Sequence, residues 1–334
     1  MNIIVIDVII SHVATWQVGM RIGRRILMAM LLGVMPHCAS YAAVPMISIV
    51  ISEESRPYLE TANAIKSALE TEFGVGLKTR IIARNDIDWD LFRNNALAVA
   101  VGVAATQKIA LSEIKIPILV TLVPRQTFEQ LAHDRKRPED YRVFSSIYLD
   151  QPIARQFRFI RVVLPESKSA GVIVGPATLA QLDQLKYVAE KADLRLVTEK
   201  LTQNGELFSA LQRLLPEVDL LFTLPDPTIV NPSTIQNLLL TTYRYRVPVI
   251  SYSQSYVDAG ALAAVFSSPE QIGSQAARII KTMAKSGVWI LPKPQYPEYF
   301  SVKINRNVAR SLGLIVPEET VALQQLIAAV GEEL

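Results

Sequence analysis

Short apolar runs that alternate with segments of helical periodicity constrain the fold of this 334-residue chain most strongly. The run Met46 to Ile51 is continuously apolar apart from one serine, and apolar residues then recur at helical spacing from Tyr58 to Phe73. This order of strand and helix recurs along the chain and restarts near residue 148. Buried parallel strands are short apolar runs that helical crossovers connect. The sequence therefore predicts an α/β protein with two similar lobes, each a parallel-type sheet flanked by helices.

The same periodicity predicts the individual elements. Strands are expected at residues 46–51, 77–83, 97–103, 116–123, 143–149, 170–174, 194–197, 220–223, 247–250, 260–265 and 300–304. Helices are expected at residues 58–73, after 104, at 126–132, 153–164, 182–192 and 207–214, after 231, at 269–286 and before Gly313. The segment 251–255 is expected to be a polar turn, and the prolines between 292 and 297 indicate a crossing connection.

Polar residues follow the predicted strands at the sheet edge where open α/β sheets bind ligands. We expect these residues to line a ligand cleft: Ser52, Glu53, Ser55 and Thr106 in the first lobe, Asp150 near the crossing, and Thr178, Asp226, Tyr252, Ser253 and Gln254 in the second.

Two of these residues have a specific expected role. Thr106 lies where a helix N-terminus could bind a carboxylate or another anion through backbone N–H groups. Asp226 could accept hydrogen bonds from an amine or a hydroxyl. The alternative is that each polar residue only caps a helix or stabilises a turn, and for Thr106 and Thr178 that alternative has equal weight.

The sequence contains no recognisable catalytic set, so we do not expect an enzyme. His133 is the only histidine after residue 37, which leaves little material for a Ser-His-Asp triad or a histidine metal site. No P-loop and no GxGxxG follows a predicted strand, so nucleotide phosphates lack their usual binding loops. We therefore expect no metal and no cofactor. The net charge of +3, without a concentrated basic face, also argues against nucleic acid as a partner.

The N-terminus has the features of an export signal. Met20-Arg21-Ile22-Gly23-Arg24-Arg25 is a basic segment, and a short apolar run up to Met35 follows it. The small residues Ala42 and Ala43 suit a cleavage site. The apolar run is about half of the roughly 20 residues that a membrane span needs. We expect residues 1–43 to be a leader and signal, with Met20 as a candidate start, and the protein to be periplasmic; an uncleaved anchor is the alternative.

Cysteine usage agrees with that interpretation. Cys38 is the only cysteine, and it would leave with the signal. The exported chain would then have no structural disulfide, thiolate metal site or cysteine nucleophile. Its stability would have to come from a large core, which about 290 residues can supply.

The last third of the chain resembles a known family. The segments LPDPTIVNPSTIQNLL (224–239), SYVDAGALAAV (255–265), GSQAARIIKTM (273–283) and INRNVARSLGL (304–314) are similar to those of ABC-transporter substrate-binding proteins of the TrpX-like group, the ABC_sub_bind family, which has the type I periplasmic-binding-protein fold. The overall pattern of that family covers most of the chain after the signal.

The resemblance implies two lobes joined by three crossings, with a ligand captured between them by hinge closure. It divides the chain into lobe 1, residues 44–147 plus 267–295, and lobe 2, residues 148–266 plus 296–334. It places Thr106, Asp226 and Ser253 in the cleft, and it implies a small polar ligand, an amino-acid-like molecule being one candidate. The implied partners are an ABC permease and ATPase, which would be the protein's only link to the membrane. A monomer is expected.

The chain departs from the family where the ligand would lie. After the fourth strand the family has Asp-Pro and a glycine-containing turn, whereas this chain has Val123-Pro124-Arg125-Gln126. Pro227 stands where asparagine is usual. The family's aromatic amino-acid ligands therefore do not transfer. Two alternatives to import stay open: a sensory or scaffold binding protein that serves a membrane receptor or outer-membrane uptake partner, and an α/β hydrolase or transferase.

Overall fold

The computed structural model describes residues 44–133, 140–201, 207–226, 228–231 and 233–331. Val44–Leu334 groups into one compact unit. The expected leader, signal and cleavage site lie outside the described residues, so they stay predictions.

The first sheet has five parallel strands in the order β2-β1-β3-β4-β5. The strands are β1 (Met46–Ile51), β2 (Lys78–Ala83), β3 (Asn95–Val101), β4 (Ile118–Val123) and β5 (Phe144–Tyr148). The central strands β1, β3 and β4 are almost wholly buried, as expected of strands that are covered on both faces.

The second sheet has six strands in the order β11-β10-β9-β8-β6-β7. They are β6 (Ser169–Val174), β7 (Arg195–Lys200), β8 (Leu220–Phe222), β9 (Val249–Ser251), β10 (Ala263–Phe266) and β11 (Ser301–Ile304). β6 to β10 pair in parallel, and the edge strand β11 is antiparallel to β10. The predicted α/β fold with two parallel-type sheets is confirmed, with this one antiparallel edge added.

Helices cover both faces of each sheet. The helices on the first sheet are α1 (Arg56–Phe73), α2 (Val103–Ala110), α3 (Arg125–His133) and α9 (Pro269–Ser286). Those on the second sheet are α4 (Ile153–Val163), α5 (Leu182–Lys191), α6 (Leu207–Leu214), α7 (Ile235–Arg244), α8 (Gln254–Ala259), α10 (Arg306–Leu312) and α11 (Glu319–Gly331). Each sheet thus has an apolar core on each side.

Helix α9 follows a strand of the second sheet, yet it packs on the first. Its N-terminus is defined by a capping box between Ser268 and Gln271, with Pro269 in the first turn. A β-carbon on Gly273 would lie 2.7 Å from the Ala64 side chain of α1, so glycine permits the close approach of the two helices. α9 therefore contributes to the core of the first sheet.

Three crossings connect the two sheets. Residues 149–152 join β5 to α4, Ser267 and Ser268 join β10 to α9, and residues 287–300 join α9 to β11. In the third crossing, Gln295 forms a parallel bridge with Ile147 at the edge of β5. Three prolines within this crossing suit an extended segment that needs few backbone hydrogen bonds.

Two elements differ from the sequence prediction. Residues 254–259, expected in part as a turn and otherwise without a predicted element, form the short helix α8, which begins after Ser253 and ends at Gly260. No element was predicted for residues 319–331, which form α11 against α4 and β11. In the part of the chain that the structure describes, no helix has the length and apolar character needed to cross a membrane.

Candidate functional site

Loops from both sheets enclose a cleft where the strands of the two sheets end. It contains a cavity of about 130 Å³ and a second cavity of about 320 Å³ that shares some of its walls. Both cavities are lined by loops that follow β4, β5, β6 and β8, which is the expected place for a ligand in α/β sheets. The polar and charged side chains that line the smaller cavity are Arg125, Gln126, Glu129, Asp150, Gln151, Gln156, Gln181, Gln184 and Tyr296.

The backbone is irregular where β4 enters this cleft. Leu122 has φ 54°, an unusual conformation for a residue with a branched side chain. The pairing with β5 shifts register between Thr121 and Val123. Such a conformation costs about 1–3 kcal/mol and is concentrated at functional sites, and bulges redirect side chains beside them. Arg125 and Gln126, which line the cavity, follow this irregularity directly.

The side chain of Arg125 is held by partners on two elements. Its Nε donates to Glu129 Oε1 at 2.6 Å, and its Nη1 donates to the Tyr296 hydroxyl at 2.8 Å. The guanidinium carbon lies 5.9 Å from the centre of the Tyr296 ring. These hydrogen bonds raise the pKa of Arg125 above its ordinary value. Arg125 thereby links α3 to the third crossing across one wall of the cleft.

Asp150 lies at the first crossing and lines both cavities. Its Oδ2 accepts a hydrogen bond from the backbone N–H of Arg125 at 2.5 Å. Burial raises the pKa of Asp150 above its ordinary value, and the Arg125 backbone hydrogen bond opposes that shift. Asp150 is the one predicted site residue that the structure places in the lining of these cavities.

The predicted residues of the first lobe lie outside the lining of the cleft cavities. Ser52 is buried: its hydroxyl donates to the Val101 carbonyl and accepts from the Ala105 backbone N–H, each at 3.0 Å. It therefore caps α2 from a neighbouring loop. Thr106 is buried as well and donates to the Gly102 carbonyl at 2.8 Å, within the helix. The anion site expected from the backbone N–H groups at this helix N-terminus stays a prediction.

Glu53 and Ser55 lie at the start of α1. Glu53 is exposed, and Ser55 is the residue before the helix, without a hydrogen bond from its side chain to the first turn. Burial raises the pKa of Tyr58, and the nearby charge of Glu53 adds to that shift. This loop therefore presents two carboxylates, those of Glu53 and Glu54, to solvent, outside the lining of the two cavities.

In the second lobe, Asp226 organises the turn after β8. Its side chain is fully buried, and Thr178 donates to Oδ2 at 2.9 Å while Thr228 donates to Oδ1 through its backbone N–H at 3.0 Å and its hydroxyl at 2.6 Å. A β-carbon on Gly175 would lie 2.7 Å from Asp226 Oδ2. Asp226 and Thr178 thus join the turns after β6 and β8, which carry the neighbouring cavity residues Gln181 and Pro225.

Tyr252, Ser253 and Gln254 occupy the loop after β9. The Tyr252 hydroxyl donates to that of Tyr256 at 3.1 Å. Burial, followed by the hydrogen bond with Tyr256, raises the pKa of Tyr252, and the charges of Asp150 and Asp226 act in the same direction. The negative charges of Asp150 and Asp226 therefore both act on the Tyr252 hydroxyl. Ser253 precedes α8, and Gln254 is exposed.

A hydrogen-bonded network connects all three crossings. Gln151 Nε2 donates to the Ser267 hydroxyl at 2.8 Å, and that hydroxyl donates to the Tyr299 carbonyl at 2.6 Å. Arg155 Nη1 donates to Gln151 Oε1 at 2.6 Å and to the Pro297 carbonyl at 2.9 Å. Gln151 of the first crossing thus contacts the second crossing directly and the third through Arg155 and Ser267.

Arg155, at the centre of this network, is buried. Its guanidinium carbon lies 4.2 Å from the centre of the Phe300 ring, which supplies a cation–π contact. Burial lowers the pKa of Arg155 to about 10, and the nearby charge of Arg158 adds to that shift. Its Nε has no hydrogen-bond partner among the described residues. The network therefore holds one buried guanidinium among the three crossings.

The glutamine-rich lining of the cleft was not predicted from the sequence. Gln156, Gln181, Gln184, Glu129 and Tyr296 were missed as site residues. The family resemblance placed Arg125 and Gln126 where a ligand would lie, but they were not named as ligand contacts. Within the described ranges, no group of three or more His, Cys, Asp or Glu residues could hold a metal ion.

Comparisons with known proteins agree with this architecture. The family model described as "ABC transporter substrate binding protein" matches residues 90–326. The "Tyrosine-binding protein" of Clostridioides difficile (strain R20291) is 24% identical over 203 residues, which cover 60% of this chain and 57% of that protein. The match thus spans less than three fifths of that relative's length.

Solved structures share the fold. The ligand-free, open structure of a substrate binding protein with adhesive properties from Clostridium difficile has a TM-score of 0.67 and 18% identity, over 82% of this chain and 97% of that one. The ABC domain in complex with L-Trp from Streptococcus pneumonia has a TM-score of 0.59 and 19% identity, over 84% of this chain and 98% of that one. Since the family model covers well over half of the sequence and the two-sheet fold agrees with it, this chain belongs to the family of ABC transporter substrate binding proteins.

Proposed function

We propose that this protein is the exported binding component of an ABC-type importer, and that it captures a small polar molecule between two lobes by hinge closure. The observation that carries the proposal is the cleft itself, whose cavities are walled by loops from both sheets. A ligand there would contact both lobes at once, so binding would favour the closed arrangement. The lobes would be residues 44–147 plus 267–295 and residues 148–266 plus 296–334.

The ligand class follows from size and chemistry. The larger of the two cavities is about 320 Å³, within the usual range of small-molecule sites. Most residues that line its neighbour have amide or charged side chains, and Ile153, Ala180, Leu224 and Pro225 add apolar surface. Relatives named for tyrosine and found with L-Trp support an amino-acid-like ligand. The remaining parts of the proposal are a periplasmic location after signal cleavage, a permease and an ATPase as partners, and a monomeric, non-enzymatic role.

The network around Gln151 would be the hinge. It lies at the three crossings, and its side-chain hydrogen bonds connect them. Residues at the ends of elements absorb the backbone rotation in a hinge motion. Asp150 directly precedes Gln151, so a ligand that contacts Asp150 would bind next to the proposed hinge.

The test combines ligand binding with shape. The full chain is screened by thermal shift and calorimetry against the twenty amino acids and a panel of small metabolites, and small-angle scattering is recorded with and without each ligand found. A ligand at 100 times its Kd is expected to stabilise the fold by about 2.7 kcal/mol. The radius of gyration is expected to fall on binding. Absence of any ligand together with an unchanged radius would overturn the proposal, and turnover of a panel compound would favour an enzyme instead.

A separate measurement tests whether the protein serves an importer. Uptake of the identified ligand by cells is expected to require this protein together with a permease and an ATPase. If cells that lack this protein take up the ligand at the normal rate, while the purified protein binds it and closes, a sensory or scaffold role replaces import.

A further inference from the structure

The third crossing is bound to the edge of the first sheet shortly before it reaches the second lobe. We call residues 295–298 the strap. The N–H of Gln295 donates to the Ser146 carbonyl at 2.9 Å, and the Gln295 carbonyl accepts from the Tyr148 N–H at 2.9 Å. These bonds form the parallel bridge between Gln295 and Ile147. The strap therefore begins as an extension of the first sheet beyond β5.

Gln275 of α9 binds the rest of the strap, and its side chain is fully buried. Its Oε1 accepts from the backbone N–H of Glu298 at 2.9 Å, and its Nε2 donates to the Tyr296 carbonyl at 3.4 Å. A backbone N–H can only donate, which determines the orientation of the amide. An ion pair of Arg278 with Glu298 is exposed and adds little. Separation of the strap from α9 would leave both ends of a buried amide unpaired, which costs free energy.

The side chain of Tyr296 also contacts elements of the first sheet. Its hydroxyl accepts from Arg125 Nη1 on α3 at 2.8 Å. Its ring lies edge-on to the ring of Tyr148 at the end of β5, with 5.2 Å between the centres. Tyr296 lines the smaller cleft cavity. This cleft residue is thus attached to the first sheet through its backbone and through its side chain.

The second lobe reaches the strap through one hydrogen bond among the described residues. Arg155 Nη1 of α4 donates to the Pro297 carbonyl at 2.9 Å. Arg155 also donates to Gln151 and lies over the Phe300 ring, so it would keep two partners if this bond opened. Phe300 packs against the apolar core of the second sheet. Attachment of the third crossing to the second lobe therefore begins after the strap.

We infer that Gln275 is a positioning residue of the ligand cleft, which holds the strap on the first lobe so that Tyr296 moves together with Arg125. The hinge of the third crossing then lies at Tyr299, whose carbonyl accepts from the Ser267 hydroxyl of the second crossing. This inference rests on the proposed capture of a small molecule by hinge closure. It moves the third boundary between the lobes from residue 295 to residue 298.

The test measures distances between spin labels in the full chain, in which Cys38→Ser removes the only cysteine. Three exposed positions carry the labels: Gln107→Cys on α2 of the first lobe, Glu190→Cys on α5 of the second, and Glu298→Cys on the strap. Glu298→Cys keeps the backbone N–H that binds Gln275. Three double variants give the three pairwise distances by pulsed electron paramagnetic resonance. Each is recorded for the free protein and with every amino acid or panel metabolite that binds.

The three distances have distinct expected responses. The distance between positions 107 and 190 reports closure itself and is expected to change on binding. The distance between positions 298 and 190 is expected to change with it, whereas the distance between positions 107 and 298 is expected to stay constant. The reverse result, with a change between 107 and 298 and none between 298 and 190, would place the strap on the second lobe and overturn the inference.

A variant assigns the effect to Gln275. Gln275→Leu removes both hydrogen bonds to the strap and keeps a side chain of similar size. It is expected to broaden the distribution of distances between positions 107 and 298 and to weaken binding about 3- to 10-fold. A loss of stability alone would change neither quantity well below the melting temperature. Gln212→Leu, at an exposed position on α6, is the matched control and is expected to leave both unchanged.

The outcomes separate this inference from the proposed function. If a compound binds and the lobes close, but Gln275→Leu keeps a narrow distribution and full affinity, the protein captures its ligand as proposed and the role of Gln275 is wrong. If no compound binds and the distance between positions 107 and 190 is constant, the proposed function itself fails, and this inference with it. Binding without any change in that distance would contradict hinge closure and, with it, the assigned hinge.

Discussion

Two aspartates that follow strands, Asp226 after β8 and Asp150 after β5, have opposite surroundings. Asp226 is fully buried, and two threonines direct three hydrogen bonds to its carboxylate. Asp150 lines a cavity and receives a backbone hydrogen bond from Arg125. Both were predicted as ligand contacts on the same argument. The structure thus separates a carboxylate that holds two turns together from one that faces an open space.

The comparison shows that a position at the edge of a sheet does not by itself determine whether a side chain is free to bind a ligand. Strand order brings both residues to the cleft side of the molecule, but hydrogen-bond donors nearby decide whether a side chain remains available. Asp226 is followed by Thr228, which can fold back on it, and faces Thr178 from the next strand along the sheet. Asp150 has no such threonine beside it in sequence. The following changes test this contrast, from the largest expected effect to the smallest.

Asp226→Ala is expected to lower the free energy of unfolding by about 3 kcal/mol, since it leaves three donors, one of them on fully buried Thr178, without their acceptor. Urea unfolding of the variant and the unaltered chain measures the change. A variant that keeps full stability but loses ligand binding would return Asp226 to the role of a ligand contact.

Gln151→Ala is expected to cost about 2 kcal/mol, because it breaks the link between the first and second crossings and removes an acceptor from buried Arg155. Gln184→Ala is the matched control: this glutamine is exposed on the same cavity wall, and its loss should stay within about 0.5 kcal/mol. Equal effects of the two variants in urea unfolding would contradict the structural role of the crossing network.

Gly175→Ala is expected to lower the free energy of unfolding by about 1.5 kcal/mol. The added methyl would lie 2.5 Å from the Thr228 hydroxyl and 2.7 Å from Asp226 Oδ2, so it would disturb the turn around Asp226 and leave Asp150 untouched. Gly76→Ala provides the control, because nothing lies within 4 Å of the added carbon there. Thermal unfolding of both variants distinguishes the crowded position from the open one.

Asp150→Asn is expected to have the smallest effect on stability, and one of opposite sign. Burial raises the pKa of Asp150 in the folded state, so the folded protein holds a proton more strongly than the unfolded chain. The contribution of this carboxyl group to the free energy of unfolding is fully present below its ordinary pKa. It is lost as the pH rises through the raised pKa of the folded state. Above that pH the asparagine variant is expected to be the more stable. A variant that is less stable at neutral pH than the unaltered chain would contradict this account.

Much of the fold could be predicted because burial on both faces has a clear sequence signature. The runs that became β1, β3, β4 and β6 are apolar almost throughout, and β1, β4 and β6 were placed within two residues of their bounds. The helix at 269–286 was predicted with its bounds, since Pro269 begins it and Gly287 ends it. The short helix α8 was missed because its six residues, Gln254 to Ala259, give less than two turns of periodicity.

The candidate site was harder to predict than the fold. Glutamines at positions 156, 181 and 184 lie within or beside helical segments, where polar residues ordinarily face solvent. Their place in the cleft depends on how one sheet meets the other through the three crossings. The φ of 54° at Leu122, three residues before Arg125, has no signal in a leucine that lies within a predicted strand.

By itself, the sequence determined the alternation of strands and helices, the order of the two sheets along the chain and the family, because each depends on local periodicity and on short motifs. Only the tertiary structure decided which polar side chains are satisfied and which remain free. Hydrogen bonding depends on partners that lie far apart in sequence, such as Thr178 with Asp226, 48 positions apart, or Arg125 with Tyr296, 171 positions apart. That is why Asp226 became part of the framework, while Asp150, at the first crossing, lines the cleft cavities.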